Sequence, residues 1–277
     1  MAAIEKKNRP RRMLRTLQVI RTTDVTPHMR RVTLGGEEIE GLDTAAGPNI
    51  KVFLPRPGQT KPVLPTIGPD DRPVFPPEDQ RPYTRTYTVR AYRADAGEMD
   101  VDFVLHGDDG PASRWALNAQ PGDYIGIAGP GNQAPPFREA EWYLLAGDET
   151  ALPAISTILE QLPDSAQGVA FIEVADAAEE QTLRCPANVQ LTWLHRDGAA
   201  PGRNTLLEDA VRAVDLPESG VFAWVAAESA AVRAIRTYLR TERGYNRNNL
   251  YAVPYWKAGV AEEEYHDERH EEMDAND

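Results

Sequence analysis

Short runs in which apolar and polar residues alternate fill the first half of the chain. Six such runs predict strands: residues 16–22, 30–34, 50–54, 85–92, 99–105 and 124–128. Only one short helix, over residues 112–117, is predicted among them. The Pro- and Gly-rich residues 57–80 are expected to form one long surface excursion. Several short strands separated by turn signals predict an antiparallel β-barrel.

After the Gly- and Pro-rich residues 129–136, the pattern changes to continuous apolar runs that alternate with amphipathic ones. The apolar runs predict buried strands at residues 142–146, 169–174, 189–194, 221–226 and 250–253. The amphipathic runs predict helices at residues 152–162, 205–214 and 230–243, the last capped by Ser229 and Gly244. Buried strands that alternate with helices indicate a parallel sheet between two helical layers.

The sequence therefore predicts an α/β protein of two domains, and its 277 residues suit that number. The first is an antiparallel β-barrel over residues 13–136, and the second is a three-layer αβα domain over residues 137–260. We expect the hinge at residues 129–136. Residues 261–277 carry nine acids against one arginine and are expected to form a disordered acidic tail.

Composition narrows the class of function. A net charge of −13 disfavours nucleic-acid binding, which needs surplus cations. The sequence contains no run of eighteen apolar residues, so no membrane-spanning helix is predicted. The single cysteine, Cys185, excludes an internal disulfide and a cysteine-based metal site. His266 and His270 stand four residues apart in a polar segment, which we interpret as solvated tail and not as a metal site. We expect a cytoplasmic monomer that contacts neither membrane nor nucleic acid.

The first strand of the second half runs into a turn that suits a nucleotide. Gly147 allows close approach, Thr150 can cap the next helix, and the helix N-terminus offers N–H groups to a pyrophosphate. An ordinary strand–turn–helix connection explains the same residues, and no G-x-G-x-x-G occurs anywhere. The second strand ends in Glu173 and Asp176, acids where a ribose 2′-hydroxyl can bind, which favours NADH over NADPH.

Residues 81–90, RPYTRTYTVR, concentrate cations, hydroxyls and aromatic rings in one predicted strand. Strand alternation places Arg85 and Tyr87 on one side and Thr88 on the other. A fixed cation beside a flat ring suits a ligand that carries both a phosphate and a planar heterocycle. An arginine–tyrosine pair that simply packs on its neighbours in an edge strand explains the same pattern.

A second anion-binding feature follows the fifth strand. Pro111 suits the first turn of the short helix, where the N–H groups of Ala112 and Ser113 can meet an anion. Two separate features of this kind in one predicted barrel suggest a flavin nucleotide.

These motifs resemble those of the siderophore-interacting proteins, flavin-dependent ferric-siderophore reductases with a ferredoxin–NADP reductase-like fold. Arg85-Thr-Tyr-Thr88 resembles the Arg-x-Tyr-Ser/Thr flavin motif, and Gly110-Pro-Ala-Ser113 resembles the Gly-x-x-Ser phosphate motif. The stretches HGDDGPASRWA, PGDYIGIAGPG, LLAGDETALPAI, WLHRDG and YWKAG follow the family's order over residues 13–260. One departure is Pro254, which stands where the family's closing motif has glycine.

The resemblance implies an FAD-containing, NADH- or NADPH-dependent reductase whose flavin, and no catalytic side chain or protein-bound metal, carries the chemistry. For FAD binding it implies Arg85, Tyr87, Thr88, Phe103, Val104, His106, Ala112 and Ser113. For NAD(P)H binding it implies Gly147, Asp148, Glu149 and Thr150. For the anionic ferric siderophore it implies Lys51 and Lys257.

Two other functions fit the same sequence. One is a general flavin or ferric reductase, or an electron-transfer module that serves a protein partner. The other, from a different class, is a protein that binds ferric siderophores without turning them over. The three hypotheses differ in whether the protein holds FAD and whether it releases Fe(II).

Overall fold

The computed structural model describes residues 14–42, 49–69, 72–106, 110–130, 137–262 and 264–265. Their contacts divide the chain into two compact units. The barrel unit comprises the residues through Thr23, Arg31–Asp102 and His106–Pro135; the sheet unit comprises Asp24–Arg30, Phe103–Leu105 and the rest from residue 136. The domain boundaries predicted from the sequence, residues 13–136 and 137–260, remain a prediction. Most of the expected hinge and tail, residues 131–136, 263 and 266–277, lies outside the described residues.

The described part of the first 130 residues is mainly strands, as predicted. They are β1 (Leu14–Thr26), β2 (Met29–Gly35), β3 (Asn49–Leu54), β4 (Thr66–Ile67), β5 (Pro73–Val74), β6 (Tyr83–Arg93), β7 (Glu98–Val104) and β8 (Tyr124–Ala128). Six of them close an antiparallel barrel in the order β1-β2-β7-β6-β3-β8. Helix α1 (Pro111–Asn118) connects β7 to β8. The predicted barrel is confirmed.

The Pro-rich excursion packs on the barrel and contains a hairpin that the sequence pattern did not predict. Strands β4 and β5 pair through two residues each, too few to show an alternating pattern. Leu64 lies against β8, since a Cβ added to Gly126 would come within 2.2 Å of the Leu64 Cδ2 atom. The Lys61 ammonium sits 3.9 Å from the centroid of the Tyr124 ring. These contacts fasten the excursion to one strand.

The sheet unit holds five parallel strands in the order β11-β10-β9-β12-β13. The elements are β9 (Trp142–Asp148), α2 (Leu152–Gln161), β10 (Gln167–Val174), β11 (Asn188–His195), α3 (Leu206–Ala213), β12 (Val221–Glu228), α4 (Ser229–Thr241) and β13 (Leu250–Trp256). The chain winds outward from β9 in one direction and then returns to β12, so the strand order reverses between β9 and β12. Ligands of such sheets bind at that switch point, outside the carboxyl ends of the strands.

Helices cover both faces of this sheet. Leu145 on β9 packs with Leu152 and Ile155 of α2 in one apolar cluster. Its neighbour Leu144 belongs to the opposite cluster, together with residues of α3 and α4 such as Leu207. Because both faces are buried, the strands are continuously apolar, and the predicted three-layer arrangement is confirmed. No helix within the described ranges is long and apolar enough to span a bilayer.

Several boundaries differ from the prediction by a few residues, among them the start of α4 and the end of β13. Helix α4 begins at Ser229, and its N-cap is Glu228, whose carboxylate accepts a 2.5 Å hydrogen bond from the Ala230 N–H; the predicted Ser229 cap is wrong. Strand β13 continues past Pro254 to Trp256, three residues beyond the predicted end. Proline is tolerated there because β13 is an edge strand and the register shifts beside it.

Candidate functional site

Arg85 and Tyr87 share one face of β6, as alternation predicts. In the antiparallel pairing with β3, Arg85 lies opposite Val52 and Tyr87 opposite Ile50. Both side chains are half-buried. The Arg85 guanidinium donates a 2.9 Å hydrogen bond to the carbonyl of Thr84, which holds the cation close to the strand. A cation and a ring therefore stand two residues apart on a rigid element. Thr88, on the other face, is buried.

The two lysines that the resemblance assigns to the siderophore lie in different units. Lys51 is opposite Thr86, and its Nζ donates a 2.6 Å hydrogen bond to the Thr86 hydroxyl. Strand alternation puts Lys51 on the face opposite to Arg85. Lys257 belongs to the sheet unit, where its ammonium lies 5.7 Å from the centroid of the buried Tyr265 ring. A shared role of the two cations stays a prediction.

The turn before α1 is closely packed around a glycine. Gly110 is the N-cap, and a Cβ at this position would lie 2.6 Å from Cε1 of the exposed His106 ring. The backbone N–H of His106 donates a 3.1 Å hydrogen bond to Oγ of Ser113, which is wholly buried. The hydroxyl of Ser113 thus ties the turn together, and the backbone of Ala112 and Ser113 is the part suited to a phosphate. Residues 107–109 of this motif lie outside the described residues.

Phe103 and Val104 end strand β7, in the segment that groups with the sheet unit. The Phe103 side chain is wholly buried. Val104 is half-buried and packs against the apolar cluster that includes α2. Both side chains therefore contribute to packing, and the flavin contacts that the resemblance implies for them stay a prediction.

Asp148, the last residue of β9, is the most fully engaged residue of the second predicted site. One carboxylate oxygen accepts hydrogen bonds from the Thr150 N–H, at 2.9 Å, and the Thr150 hydroxyl, at 2.5 Å. The other accepts from the Glu228 N–H, at 3.0 Å, and from the Trp256 indole N–H, at 2.7 Å. Burial raises the pKa of this carboxyl, and the hydrogen bonds from Thr150 and Trp256 oppose that shift. The expected Thr150 cap is wrong: the N-cap is Ala151, without a side-chain bond.

A second group of buried charges lies beside it. Arg196 donates from both terminal nitrogens to Glu149 at 3.0–3.1 Å, and its Nη1 lies 3.5 Å from Glu173. Glu173 also accepts a 3.0 Å hydrogen bond from the Asn204 amide. Burial raises the pKa of both glutamates, and the nearby Arg196 charge opposes that shift. Glu173 is thus bound within the protein, which leaves the exposed Asp176 as the acid at the end of β10.

Sequence reasoning did not single out Arg196 or Glu228, and it noted Trp256 only within the closing motif YWKAG. Each reaches its partner across the sheet, and no local pattern reveals such a pairing. One signal was available for Asp148: an aspartate two residues before threonine is typical of a side chain that bonds the turn that follows it. Among the described residues, no group of three or more His, Cys, Asp or Glu side chains is placed to hold a metal ion.

We predict that Gly147→Ala destabilises the protein because Gly147 is closely packed. An added Cβ would lie 2.6 Å from the Ala151 Cβ, 2.7 Å from the Ala226 carbonyl oxygen and 2.9 Å from Ile155 Cδ1. Since backbone atoms must move to admit it, we expect the free energy of unfolding to fall by about 1–3 kcal/mol. Urea unfolding followed by circular dichroism measures this, and an unchanged midpoint would contradict the close packing.

Comparison with known proteins covers both units. Residues 18–134 match the family model of the siderophore-interacting FAD-binding domain, and residues 140–259 match that of siderophore-interacting protein. Ferric vibriobactin reductase ViuB of Vibrio cholerae is 40% identical over 94% of this chain and 95% of its own. The Escherichia coli NADPH-dependent ferric-chelate reductase is 30% identical over 88% of this chain and 93% of its own.

A solved structure agrees with these matches. The siderophore-interacting protein SipS from Aeromonas hydrophila superposes with a TM-score of 0.83 at 38% identity, covering 96% of this chain and 100% of its own. The predicted ferredoxin reductase-like fold is confirmed.

Proposed function

Since this chain belongs to the siderophore-interacting protein family, we propose that it is an FAD-containing, NAD(P)H-dependent reductase of ferric siderophores. The observation that carries the proposal is that one chain contains both a candidate flavin site and a candidate nicotinamide-cofactor site. The barrel unit has the cation and ring of Arg85 and Tyr87, and the sheet unit has a nucleotide-type switch point. Reduction releases iron because the hard oxygen ligands of siderophores bind Fe(III) more strongly than Fe(II).

The described residues around β6 and α1 suit FAD. Arg85 would hold a phosphate, Tyr87 the ring and Thr88 the isoalloxazine edge, and the backbone of Ala112 and Ser113 would hold the pyrophosphate. Gly110 leaves room beside the exposed His106 ring, which a larger residue at this position would displace. Phe103, Val104 and His106 would line the rest of the site. FAD supplies the link between a hydride donor and one-electron acceptors, and the protein supplies position and charge.

Because the net charge of the chain is −13, an anionic substrate can be attracted only by cations close to its binding site. Lys51 and Lys257 would supply it to an anionic ferric siderophore by attraction over short distances. We place the reaction in the cytoplasm, on a monomer. The single cysteine, Cys185, suits that reducing compartment.

The sheet unit would take the nicotinamide cofactor at the carboxyl ends of its strands, with NADH favoured over NADPH. The exposed Asp176 carboxylate accepts a 2.8 Å hydrogen bond from the Ala178 N–H and retains acceptor capacity for a ribose hydroxyl. A 2′-phosphate in the same place would be repelled by its charge.

An anaerobic assay of iron release tests the proposal. The FAD-loaded protein is mixed with a ferric hydroxamate and either NADH or NADPH, and Fe(II) is captured by a coloured ferrous chelator. We expect Fe(II) to form faster with the protein than with free FAD, and faster with NADH than with NADPH. A rate equal to that of free FAD plus nicotinamide would contradict the reductase, and faster reaction with NADPH would contradict the role of Asp176.

A further inference from the structure

Nucleotides that bind open α/β sheets place their diphosphate against the turn after the first strand. That turn is usually rich in glycine, so that its backbone N–H groups point at the phosphates without interference. In this chain the corresponding turn comprises Gly147 and Asp148, which end β9, and Glu149 and Thr150, which lead towards α2. Its second residue is Asp148, a carboxylic acid at a position where the cofactor brings negative charge.

Two N–H groups of this turn, those of Thr150 and Ala151, are already used within the protein. Asp148 accepts hydrogen bonds from the N–H of Thr150 through its carboxylate and from the N–H of Ala151 through its backbone carbonyl, both at 2.9 Å. The Ile155 N–H donates to the Ala151 carbonyl at 2.9 Å, and Pro153 has no N–H. Gly147 packs closely against Ala151 and Ile155 at the start of α2, at the distances given above. The turn is therefore closely packed against the helix that follows it.

The four hydrogen bonds to the Asp148 side chain all come from donors, so these contacts favour its ionised form and oppose burial, which raises the pKa of this carboxyl. The Glu228 N–H that it binds lies at the end of β12, on the other side of the switch point. The carboxylate thus bridges the two strands between which a diphosphate would lie. Glu149 follows directly and adds a second carboxylate, which Arg196 balances at 3.0 Å.

The end of β13 and the residues that follow it hold this arrangement closed. Trp256 donates its indole N–H to Asp148 at 2.7 Å, and the Ala258 N–H donates to the Glu228 carboxylate at 3.1 Å. Gly202 lies against the same place, because a Cβ there would be 2.7 Å from Glu228 Cγ and 3.2 Å from the Trp256 ring. The end of β13 and the loop that contains Gly202 therefore pack over the switch point, around the Asp148 carboxylate.

We propose that Asp148 is an internal anion that occupies the position of the cofactor's diphosphate, so that the dinucleotide is held through its nucleoside ends. The diphosphate then adds little to affinity, because the Thr150 and Ala151 N–H groups are taken and the Asp148 carboxyl group stands in its place. Asp148 is in this role a specificity-determining residue that disfavours tight binding of nicotinamide cofactors. The inference rests on the proposed function, which assigns the sheet unit to NAD(P)H.

Calorimetric titration of the FAD-loaded, unmutated protein with adenosine, ADP-ribose and NAD⁺, which cannot reduce the flavin, tests this without a variant. Adenosine and ADP-ribose share the base and ribose, and ADP-ribose adds the diphosphate and the second ribose. We expect their dissociation constants to agree within about threefold. ADP-ribose that binds tenfold or more tightly than adenosine would overturn the role of Asp148 and leave the proposed function intact. Failure of all three ligands to bind would overturn the assignment of the sheet unit itself.

Variants then locate the effect. Asp148→Asn removes the carboxylate, and Asp148→Gly also releases the Thr150 N–H from its hydrogen bond. For both variants we expect ADP-ribose to bind about tenfold more tightly, while the affinity for adenosine stays constant. KM for NADH should fall by a similar factor with kcat changed less than twofold. Asp164→Asn is the matched control, because its carboxylate is 93% exposed and follows the far end of α2; it should change neither ligand. Folded variants in which ADP-ribose affinity is unchanged would refute the inference.

Discussion

Arg85→Ala is expected to lower the affinity for FAD by about 100-fold. The guanidinium is half-buried on a barrel strand and held in place by its bond to the Thr84 carbonyl, so it is positioned before the phosphate arrives. A charge-assisted hydrogen bond contributes about 1.5–3 kcal/mol, which corresponds to a factor of roughly 10 to 150 in dissociation constant. Flavin absorbance that stays with the protein through gel filtration, followed by fluorescence titration of the FAD-free form, measures the loss.

Two other charge removals serve as controls for this result. Arg90→Ala removes the same group from the same strand, and Lys257→Ala removes a cation from the sheet unit. Both variants should retain FAD at close to the level of the unmutated protein. If all three lose flavin equally, the effect is one of overall charge or stability, and the assignment of Arg85 fails.

Arg196→Met is expected to lower the free energy of unfolding at neutral pH by about 3–5 kcal/mol. The side chain of Arg196 is only 5% exposed, and its removal leaves Glu149 and Glu173 buried without their cation. Methionine keeps most of the volume, so the loss reports the charge and not a cavity. Arg212→Met is the matched control, because that guanidinium pairs with Glu208 on the protein surface and is worth under about 1 kcal/mol.

The loss in Arg196→Met should depend on pH in a defined direction. Burial already raises the pKa of Glu149 and Glu173, and loss of the arginine raises both further. A carboxyl whose pKa is higher in the folded protein favours folding at low pH and loses that contribution as pH rises through the folded pKa. The stability difference from the unmutated protein should therefore be smallest in acid and grow towards neutral pH.

Chemical unfolding at a series of pH values measures this. Adding Glu149→Gln to Arg196→Met should recover part of the loss, since one of the two uncompensated charges is then gone. A loss that is independent of pH, with no recovery in the double variant, would mean that Arg196 stabilises by packing.

The elements of the fold could be predicted because their signals are local. Strand β6 follows from the alternation of Arg85 and Tyr87, and β9 follows from a continuous apolar run that ends at Asp148. The hairpin of β4 and β5 was not predictable in this way. Its two-residue strands carry no period, and its position depends on the contact of Leu64 with a barrel strand.

The charged residues at the edge of the sheet show more clearly what local sequence patterns cannot predict. The family resemblance implied a cofactor contact for Asp148, and the structure shows its carboxylate bound to Glu228 and Trp256, which lie 80 and 108 residues away in sequence. Arg196 was visible in WLHRDG, but its partner Glu149 is 47 residues distant. Such pairs form because the helical connections between strands bring distant strand ends together. A local sequence pattern does not predict which ends will meet.

One half-reaction tests the central claim, that electrons pass from a nicotinamide through FAD to a ferric siderophore. The FAD-loaded protein is reduced anaerobically with one equivalent of NADH and mixed with excess ferric hydroxamate in a stopped-flow instrument, with a ferrous chelator present. We expect flavin absorbance to return as Fe(II) appears, with two Fe(II) formed for each FAD, because a hydride carries two electrons and Fe(III) accepts one. Flavin that stays reduced in the presence of the ferric chelate would contradict the account.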